Sequence, residues 1–284
     1  MRGTPVAPEL SPLARDRLAY RRSRARRSTL VAFASTVVFA GAVVVGVVSS
    51  PGWPRVRDTF FDVDVAWSSL PPVLAGLWLN VRVLVVAEIG ILVLGLLIAV
   101  LRTLRGPVFL PVRALATGYV DLFRGLPLLI ALYLIGFGVP ALRLSGVPTD
   151  TAVLGTITLI LVYSAYVAEV FRAGIESMHP SQRAAARSLG LSHRQSMRLV
   201  VLPQAVRRVL PPLLNDFVAL QKDVGLISVL GAVDAIRAAQ IEAARTFNFT
   251  PYLVAALLFV LLAIPTGRVA EAVAARAARR QGAS

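Results

Sequence analysis

The run LVAFASTVVFAGAVVVGVV, residues 30–48, contains no charged side chain and decides the environment in which the chain folds. At ~1.5 Å per residue, a helix of this length spans about 30 Å, which matches the hydrocarbon core of a bilayer. The rest of the chain has the same character, since 56% of its 284 residues are hydrophobic and only 16% are charged. Such a composition predicts an integral membrane protein rather than a soluble domain.

Further apolar segments follow the first, and each is long enough to cross a bilayer. They occupy residues 76–101, 112–138, 152–170, 205–232 and 250–268. The last segment begins with Thr250 and Pro251, which are typical of a helix start with Thr250 as the N-cap and Pro251 at the first helical position. We therefore expect an all-α integral membrane protein with six transmembrane helices.

The polar segments divide the chain around these helices. Residues 1–28 are rich in arginine and lack apolar periodicity, so we expect a basic cytoplasmic tail that is disordered or bound to the membrane surface. Residues 29–50 form the predicted N-terminal transmembrane helix. The stretch 51–75 contains aspartate, proline and tryptophan and reads as an extracellular connector. The main transmembrane domain is predicted at 76–270, followed by a second cytoplasmic tail at 271–284.

The basic residues indicate how the chain is oriented. The net charge is +15, and 22 of the 30 lysine and arginine residues lie in alternate polar segments, namely 1–28, 102–113, 172–208 and 268–284. Because lysine and arginine collect on the cytoplasmic side of membrane proteins, both termini are predicted to be cytoplasmic. The same distribution accounts for the positive charge without a nucleic-acid partner.

Ionisable residues also occur inside the apolar segments, where they are costly unless they face protein or water. The candidates for a substrate path are Arg124, Glu169, Asp216, Lys222 and Asp223. Cationic side chains among them suit the carboxylate of a zwitterion, and the acids suit its ammonium group. The alternative is internal ion pairing, for example between Asp121 and Arg124, three residues apart on a helix. Arg82 and Glu88 receive no role.

Metal and thiol chemistry have little support in this composition. The chain has no cysteine, and its two histidines, His179 and His193, lie in a polar segment without a nearby acidic cluster. Structural and catalytic metal sites normally need several such ligands close together. We expect neither a metal site nor a catalytic site in this chain.

The segment SQRAAARSLGLSHRQSMRLVVLP, residues 181–203, has the pattern of a helix, a turn and a second helix. Gly190 suits the left-handed position that ends a helix, and Ser192 with Gln195 fits a capping box. The segment is similar to the helix-turn-helix of DNA-binding regulators. However, it lies between two predicted spans and lacks the third helix of such a domain, which makes a membrane-tethered regulator the weaker interpretation.

The same segment resembles the cytoplasmic loop of ABC-importer permeases. That loop has the pattern Glu-Ala-Ala, three residues, Gly, nine residues, then Ile-x-Leu-Pro. Here Gly190 keeps the glycine position, Val200 replaces the isoleucine, and Ala184 replaces the glutamate. The residues assigned by this resemblance to ATPase docking are Ala184, Ala185, Ala186, Leu189, Gly190, Leu202 and Pro203, within a coupling loop at 172–203.

Other stretches are similar to the polar-amino-acid branch of these permeases. They are GLWLN (76–80), YVDLFRGLP (119–127), AYVAEVFRAGI (165–175), LPQA (202–205) and KDVGL (222–226). The chain departs from the branch at Val224 and Gly225, where threonine or serine followed by serine is usual. The resemblance implies the five-helix core of a type I ABC-importer permease with an extra N-terminal helix.

The resemblance also implies a function and a set of partners. The chain would be a multi-pass permease in a bacterial cell membrane that imports polar amino acids such as glutamate or glutamine. Its partners would be a dimeric ATPase that binds ATP and Mg, a second permease subunit, homologous or identical, and an extracellular substrate-binding protein. The chain itself has no P-loop, because its only lysine, Lys222, follows glutamine rather than a glycine-rich stretch. We therefore expect no enzymatic activity and no cofactor in this chain.

One alternative from a different class stays open. An ion-coupled secondary amino-acid transporter would use the embedded acids as proton or cation sites.

Overall fold

The computed structural model describes residues 12–104, 106–176, 181, 188–196, 199–200 and 202–282. Helices account for most of these residues, and no strand occurs among them. The chain divides into two compact units, one that ends at Asp58 and one that begins at Thr59. The prediction of an all-α protein is confirmed.

The first unit is dominated by one long helix. Helix α1 (Pro12–Val48) includes the predicted N-terminal span, and α2 (Trp53–Phe60) follows it. Residues 12–28, for which we expected no regular structure, are therefore helical. The physical reason is that residues 13–28 contain no glycine or proline and are rich in alanine, leucine and arginine, which favour helix. Residues 1–11 lie outside the described part of the chain.

Helix α3 (Val63–Thr103) is 41 residues long and begins well before the predicted span at 76–101. Its start is fixed by Asp62, whose side chain accepts hydrogen bonds from the backbone N–H of Asp64 (3.0 Å) and Val65 (3.1 Å). Aspartate is a strong N-cap residue, because its carboxylate satisfies N–H groups that the first turn leaves unpaired. The segment predicted as a polar connector, 51–75, is thus largely helical.

The remaining elements follow in chain order. They are α4 (Leu110–Gly125), α5 (Leu128–Ala141), α6 (Thr151–Glu176), α7 (His193–Ser196), α8 (Leu202–Asp223), α9 (Ala235–Thr246) and α10 (Thr250–Gly282), with 3₁₀ turns at Pro107–Phe109 and Val224–Leu230. The chain bends by 108° between α4 and α5 and by 49° between the 3₁₀ turn after α8 and α9. By length and composition, the described residues contain four helices able to cross a membrane, or up to six if each bent pair is one span.

The start of α10 differs in detail from the prediction. The helix begins at Thr250 itself, one residue earlier than predicted, and the Thr250 N–H donates to Oδ1 of Asn248 at 2.8 Å. The Thr250 hydroxyl instead accepts a hydrogen bond from the backbone N–H of Asp62 at 3.1 Å. Thr250 therefore joins the start of α10 to the start of α3.

The largest buried cluster lies where α3, α6, α8 and the following 3₁₀ turn meet. Its members are apolar and almost fully enclosed, among them Leu84, Ile91, Leu159, Leu220 and Ile227. Between membrane helices such packing acts through close shape complementarity, because lipid removes most of the hydrophobic driving force. The cluster fixes α8 against α6, and this contact positions the site described below.

A buried polar contact holds the break between α8 and α9. The side-chain amide of Asn80 on α3 donates to the Asp234 carboxylate at 2.9 Å and to the Val224 carbonyl at 3.3 Å, and its oxygen accepts from the N–H of Ala235 at 3.1 Å. Gly76, one turn earlier, permits this approach, because a side chain there would overlap the backbone of Asp234. One amide thus binds both sides of the break, and we call this contact the Asn80 clamp.

Candidate functional site

Two adjoining cavities lie between the α4–α5 junction, α6 and α8. The loop-side cavity, of about 470 Å³, lies toward the end of α6 that leads into the loop at 172–203. The far-side cavity, of about 400 Å³, extends in the opposite direction along α6 and α8. Arg124, Tyr166 and Asp216 line both cavities. Because they share these side chains, the two cavities adjoin, and we call them together the polar path after the charged side chains that line them.

Arg124 reaches this path from the last turn of α4, immediately before the sharp bend into α5. Its guanidinium carbon lies 5.8 Å from the centre of the Tyr166 ring, a cation–π distance. The Tyr166 hydroxyl also donates to the Arg124 carbonyl at 3.3 Å. In the described part of the chain no ion pair joins Arg124 to Asp121, so the internal pair considered from the sequence does not form there.

Two acids of the path come from one face of α8. Asp216 and Asp223 are seven residues apart, which places them on the same side of a helix two turns apart. Asp223 accepts a hydrogen bond from the Tyr163 hydroxyl at 2.7 Å. Oδ2 of Asp216 is buried and has no hydrogen-bond partner among the described residues. Asp216 is therefore the acid of the path with an oxygen that the described residues leave unpaired.

Three residues of this region received no role from the sequence. Tyr163 and Tyr166 lie three residues apart on the α6 face that lines the path, and this i, i+3 spacing is the sequence signal that could have identified them. Glu88 on α3 is close enough to Asp216 for their charges to interact, although α3 and α8 are far apart in sequence. The proximity of Glu88 to Asp216 is therefore visible only in the folded structure.

Glu169 lies at the loop side of the same path, but it has cationic partners. Its carboxylate forms ion pairs with Arg102 of α3 at 2.6 Å and with Arg172 one turn further along α6. Arg172 in turn pairs with Glu176 at 2.6 Å. The charge that we expected Glu169 to offer to a substrate ammonium is thus compensated within the protein, and the cluster ties α3 to α6.

Lys222 does not line either cavity, although it neighbours Asp223 in sequence. One residue along a helix turns the side chain by about 100°, and Lys222 faces a separate cavity between α8, α9 and α10. Of the five residues predicted for a substrate path, Arg124, Glu169, Asp216 and Asp223 are therefore brought together and Lys222 is not.

The loop between α6 and α8 has the local geometry expected from its sequence. Gly190 has φ = 76°, in the left-handed region, and no heavy atom of the described residues lies within 4 Å of the position of an added Cβ. Ser192 and Gln195 form the reciprocal capping box: the Ser192 N–H donates to Oε1 of Gln195 at 2.9 Å, and the Gln195 N–H donates to Oγ of Ser192 at 3.3 Å. Both local predictions are confirmed.

The loop also presents an apolar side chain to its surroundings. Leu189, beside Gly190, is 81% exposed. Ala184, Ala185 and Ala186 lie outside the described residues, and the backbone of Leu202 and Pro203 begins α8. The described part of the loop is a tight, capped turn that carries an exposed leucine at its tip.

Comparison with known proteins identifies the family. Residues 91–279 match the family described as binding-protein-dependent transport system inner membrane component. The probable glutamine ABC transporter permease protein GlnM of Bacillus subtilis is 35% identical over 72% of this chain and 92% of its own length. The arginine transport system permease protein ArtQ of the same species is 30% identical over 75% of this chain and 95% of its own length.

Solved structures have the same architecture. A chain from the crystal structure of an amino acid ABC transporter with histidines aligns with a TM-score of 0.65 and 32% identity, over 72% of this chain and 94% of that chain. A chain of the MetNI methionine ABC transporter in an inward-facing conformation aligns with a TM-score of 0.56 at 19% identity, which supports the fold alone. This family assignment agrees with neither of the alternative functions considered from the sequence, a DNA-binding regulator and an ion-coupled secondary transporter. The chain belongs to the family of binding-protein-dependent transport system inner membrane components, the membrane-embedded permease subunits of ABC importers.

Proposed function

We propose that this permease imports polar amino acids into a bacterial cell, with glutamine and glutamate as the first substrates to examine. Relatives that are about a third identical over the aligned part of the chain are named as glutamine and arginine permeases, and a similar solved structure belongs to an amino acid transporter. The polar path along α6 and α8, with charges of both signs, suits a zwitterion. That path is the observation that carries the substrate class.

The proposed assembly contains two permease subunits, identical or homologous, two ATPase subunits and an extracellular binding protein. The ATPases bind ATP and Mg, and this chain contributes no cofactor site. Both termini are cytoplasmic, because basic residues concentrate in the segments on that side. The family core begins near residue 76, and α1 is an additional membrane helix.

The ATPase docks on the loop around Gly190. Its left-handed backbone turns the chain sharply, the Ser192–Gln195 box fixes the following turn, and Leu189 projects as an apolar contact. Ala184, Ala185, Ala186, Leu202 and Pro203 complete the docking segment by their spacing from Gly190. Nucleotide-driven movement of the ATPase is thereby delivered to α8, which starts directly after the loop.

In the path, Arg124 binds the substrate carboxylate and Asp216 binds its ammonium group. Asp216 fits this role because one of its oxygens is buried without a partner, which a charged donor would satisfy. Tyr163 holds Asp223 in the far-side cavity by a hydrogen bond at 2.7 Å. Glu169 has a positioning role, since its two arginine partners fix α3 and α6 at the loop side.

The test is transport by the reconstituted complex. The chain is purified with its copurifying ATPase, placed in proteoliposomes with the binding protein outside the permease, and supplied with labelled amino acids with or without ATP. We expect uptake of a polar amino acid that requires hydrolysable ATP. Uptake that follows an ion gradient in the absence of ATP contradicts the proposal.

The docking loop is tested by Gly190→Asp. A side chain at φ = 76° is strained by roughly 1–2 kcal/mol, and it also intrudes on the contact surface of the ATPase. We expect ATP-driven uptake to be abolished while the permease still accumulates in the membrane. Gly146→Asp is the matched control, because Gly146 has a similar φ of 81° with open space around it. Equal loss in both variants would mean that backbone strain, and not docking, is responsible.

A further inference from the structure

The two helices that lead into and out of the docking loop touch where Gly174 of α6 faces Val209 of α8. A Cβ built on Gly174 would lie 3.6 Å from the Cβ of Val209 and would overlap its Cγ1. Both residues are buried, and Val209 is only 7% exposed. The branched side chain of Val209 therefore occupies the space that a side chain at position 174 would need. We call this contact the Gly174 notch.

The notch lies next to the docking loop. Gly174 is two residues before the end of α6 at Glu176, and Val209 is seven residues after the start of α8 at Leu202. Both residues line the loop-side cavity, and no lining residue of α6 lies nearer to the loop along the chain than Gly174. The two ends of the docking loop are thus joined at one point, at the loop end of the polar path.

A second contact of the same kind joins the opposite ends of these helices. A Cβ on Gly155, near the start of α6, would lie 2.7 Å from Cγ2 of Ile227, which is fully buried in the 3₁₀ turn after α8. Gly155 and Gly174 are 19 residues apart, or about 28 Å at ~1.5 Å per residue. Between them, the Tyr163 hydroxyl donates to Asp223 at 2.7 Å. Helix α6 is thus attached to α8 and its 3₁₀ turn at both ends and between them.

This form of attachment resists relative movement. Small residues between membrane helices let the backbones approach closely, and the association then depends on close packing. Because packed interiors have low compressibility, Val209 must leave the notch before α8 can slide or tilt on α6. The two helices supply different walls of the polar path, with Tyr166 on α6 and Asp216 on α8. The spacing of these walls therefore depends on whether the notch stays closed.

We propose that α6 and α8 move as one unit when the ATPase displaces the docking loop, and that Gly174 is the positioning residue that keeps them together. This inference rests on the proposed function, since it takes the loop around Gly190 as the ATPase contact. A displacement of the loop reaches both helices through the notch, and the walls of the path keep their spacing during transport. With the notch disrupted, the loop would move α8 without α6, and ATP would be hydrolysed without transport.

The first test links the notch covalently in the reconstituted complex. The chain has no cysteine, so the double variant Gly174→Cys/Val209→Cys introduces the only two thiols of the permease. The Cβ separation of 3.6 Å lies within the range of disulfides, about 3.5–4.5 Å. Loss of maleimide labelling after oxidation verifies the bond. We expect ATP-driven uptake by the oxidised variant to equal uptake by the reduced variant, because the proposed movement leaves this contact closed.

The opposite outcome of this test is equally clear. Uptake that disappears on oxidation and returns with a reductant means that α6 and α8 separate at the notch during transport, and it overturns the inference. The unmodified permease is oxidised in parallel with the same ATPase and binding protein. This control accounts for thiols in the other subunits.

The second test changes the size of the two side chains and measures the amino acid transported per ATP hydrolysed. Gly174→Ala adds a methyl group that overlaps Val209, and Val209→Ala leaves the notch unfilled. The double variant Gly174→Ala/Val209→Ala places the two methyl groups 3.6 Å apart, an ordinary van der Waals contact. We expect each single variant to lower the transport per ATP by about threefold, toward the lower end of effects between contacting residues. The double variant should restore it.

Gly138→Ala is the matched control, since Gly138 lies in helix α5 with open space around it. Its transport per ATP should stay unchanged. Losses that simply add in the double variant, or single variants that leave the transport per ATP unaltered, refute the coupling role of Gly174. Absence of ATP-dependent uptake in the unmodified complex contradicts the proposed function itself, and the role of the notch falls with it.

Discussion

The two faces of α8 carry opposite charges into different surroundings. Asp216 and Asp223 face α6 and line the polar path, whereas Gln221 and Lys222 face α9 and α10 and line a mostly apolar cavity. Lys222 and Asp223 are adjacent in sequence, yet helical geometry separates their side chains by about 100°. Neighbouring charges in a membrane helix are therefore not evidence of one site, and the face on which each lies decides its role.

Among the substitutions that compare the two faces of α8, we expect Asp216→Asn to reduce uptake most. The change keeps the shape of the side chain but removes the charge from the path face of α8. A hydrogen bond to a charged group contributes roughly 1.5–3 kcal/mol, which corresponds to about 10- to 150-fold in affinity. We expect Vmax/KM for uptake to fall by an amount in that range, measured in proteoliposomes.

Asp121→Asn is the control for that variant. Asp121 is an exposed carboxylate in α4 that lines neither path cavity. We expect its loss to change uptake little. If both variants are impaired alike, the effect belongs to membrane carboxylates in general and the two faces of α8 are not distinguished.

A smaller loss is expected for Tyr163→Phe. The substitution removes the hydroxyl that donates to Asp223 at 2.7 Å and keeps the ring. One such hydrogen bond is worth about 1 kcal/mol, or roughly fivefold, and we expect KM to rise by about that factor. Tyr133→Phe, at an exposed tyrosine outside the path, should leave KM unchanged. Unaltered KM in Tyr163→Phe would remove Asp223 from the path.

The smallest effect on transport is expected for Lys222→Met. Methionine keeps an unbranched apolar stem, and Lys222 lines neither cavity of the path, so uptake should stay within about twofold of the unmodified protein, as is usual for substitutions away from a site. The measurement is the same uptake assay in phosphatidylcholine proteoliposomes. A loss as large as that of Asp216→Asn would mean that both faces of α8 serve the substrate, and the comparison would fail.

Much of this architecture is predictable from the sequence, because each predicted span depends on local composition. The charge-free run at 30–48 and the capping box of Ser192 and Gln195 are both local patterns, and the structure contains both features. The start of α3 was misplaced because polar residues before the span were interpreted as a loop. Asp62 marks the true start, since one side chain of the right type caps a helix even within polar sequence.

The candidate site was less accessible to prediction. Sequence position identified Arg124, Asp216 and Asp223 as unusual residues, but it did not indicate that Glu169 pairs with Arg102, 67 positions earlier. The sequence also did not show that Lys222 and Asp223 face different cavities. Which face of α8 is turned toward α6 depends on packing by residues such as Leu220 and Ile227. Contacts between helices decide which charges are compensated, and those contacts are not local in sequence.

The Asn80 clamp has a mechanical consequence. A break in a helix ordinarily behaves as a hinge, since its backbone groups are free to change partners. Here one amide from α3 binds Val224 before the break and Ala235 and Asp234 after it. These hydrogen bonds restrain the angle between the two helical segments. A displacement of α8 at the docking loop is then expected to move α9 as well. With a flexible break, α8 would move without α9.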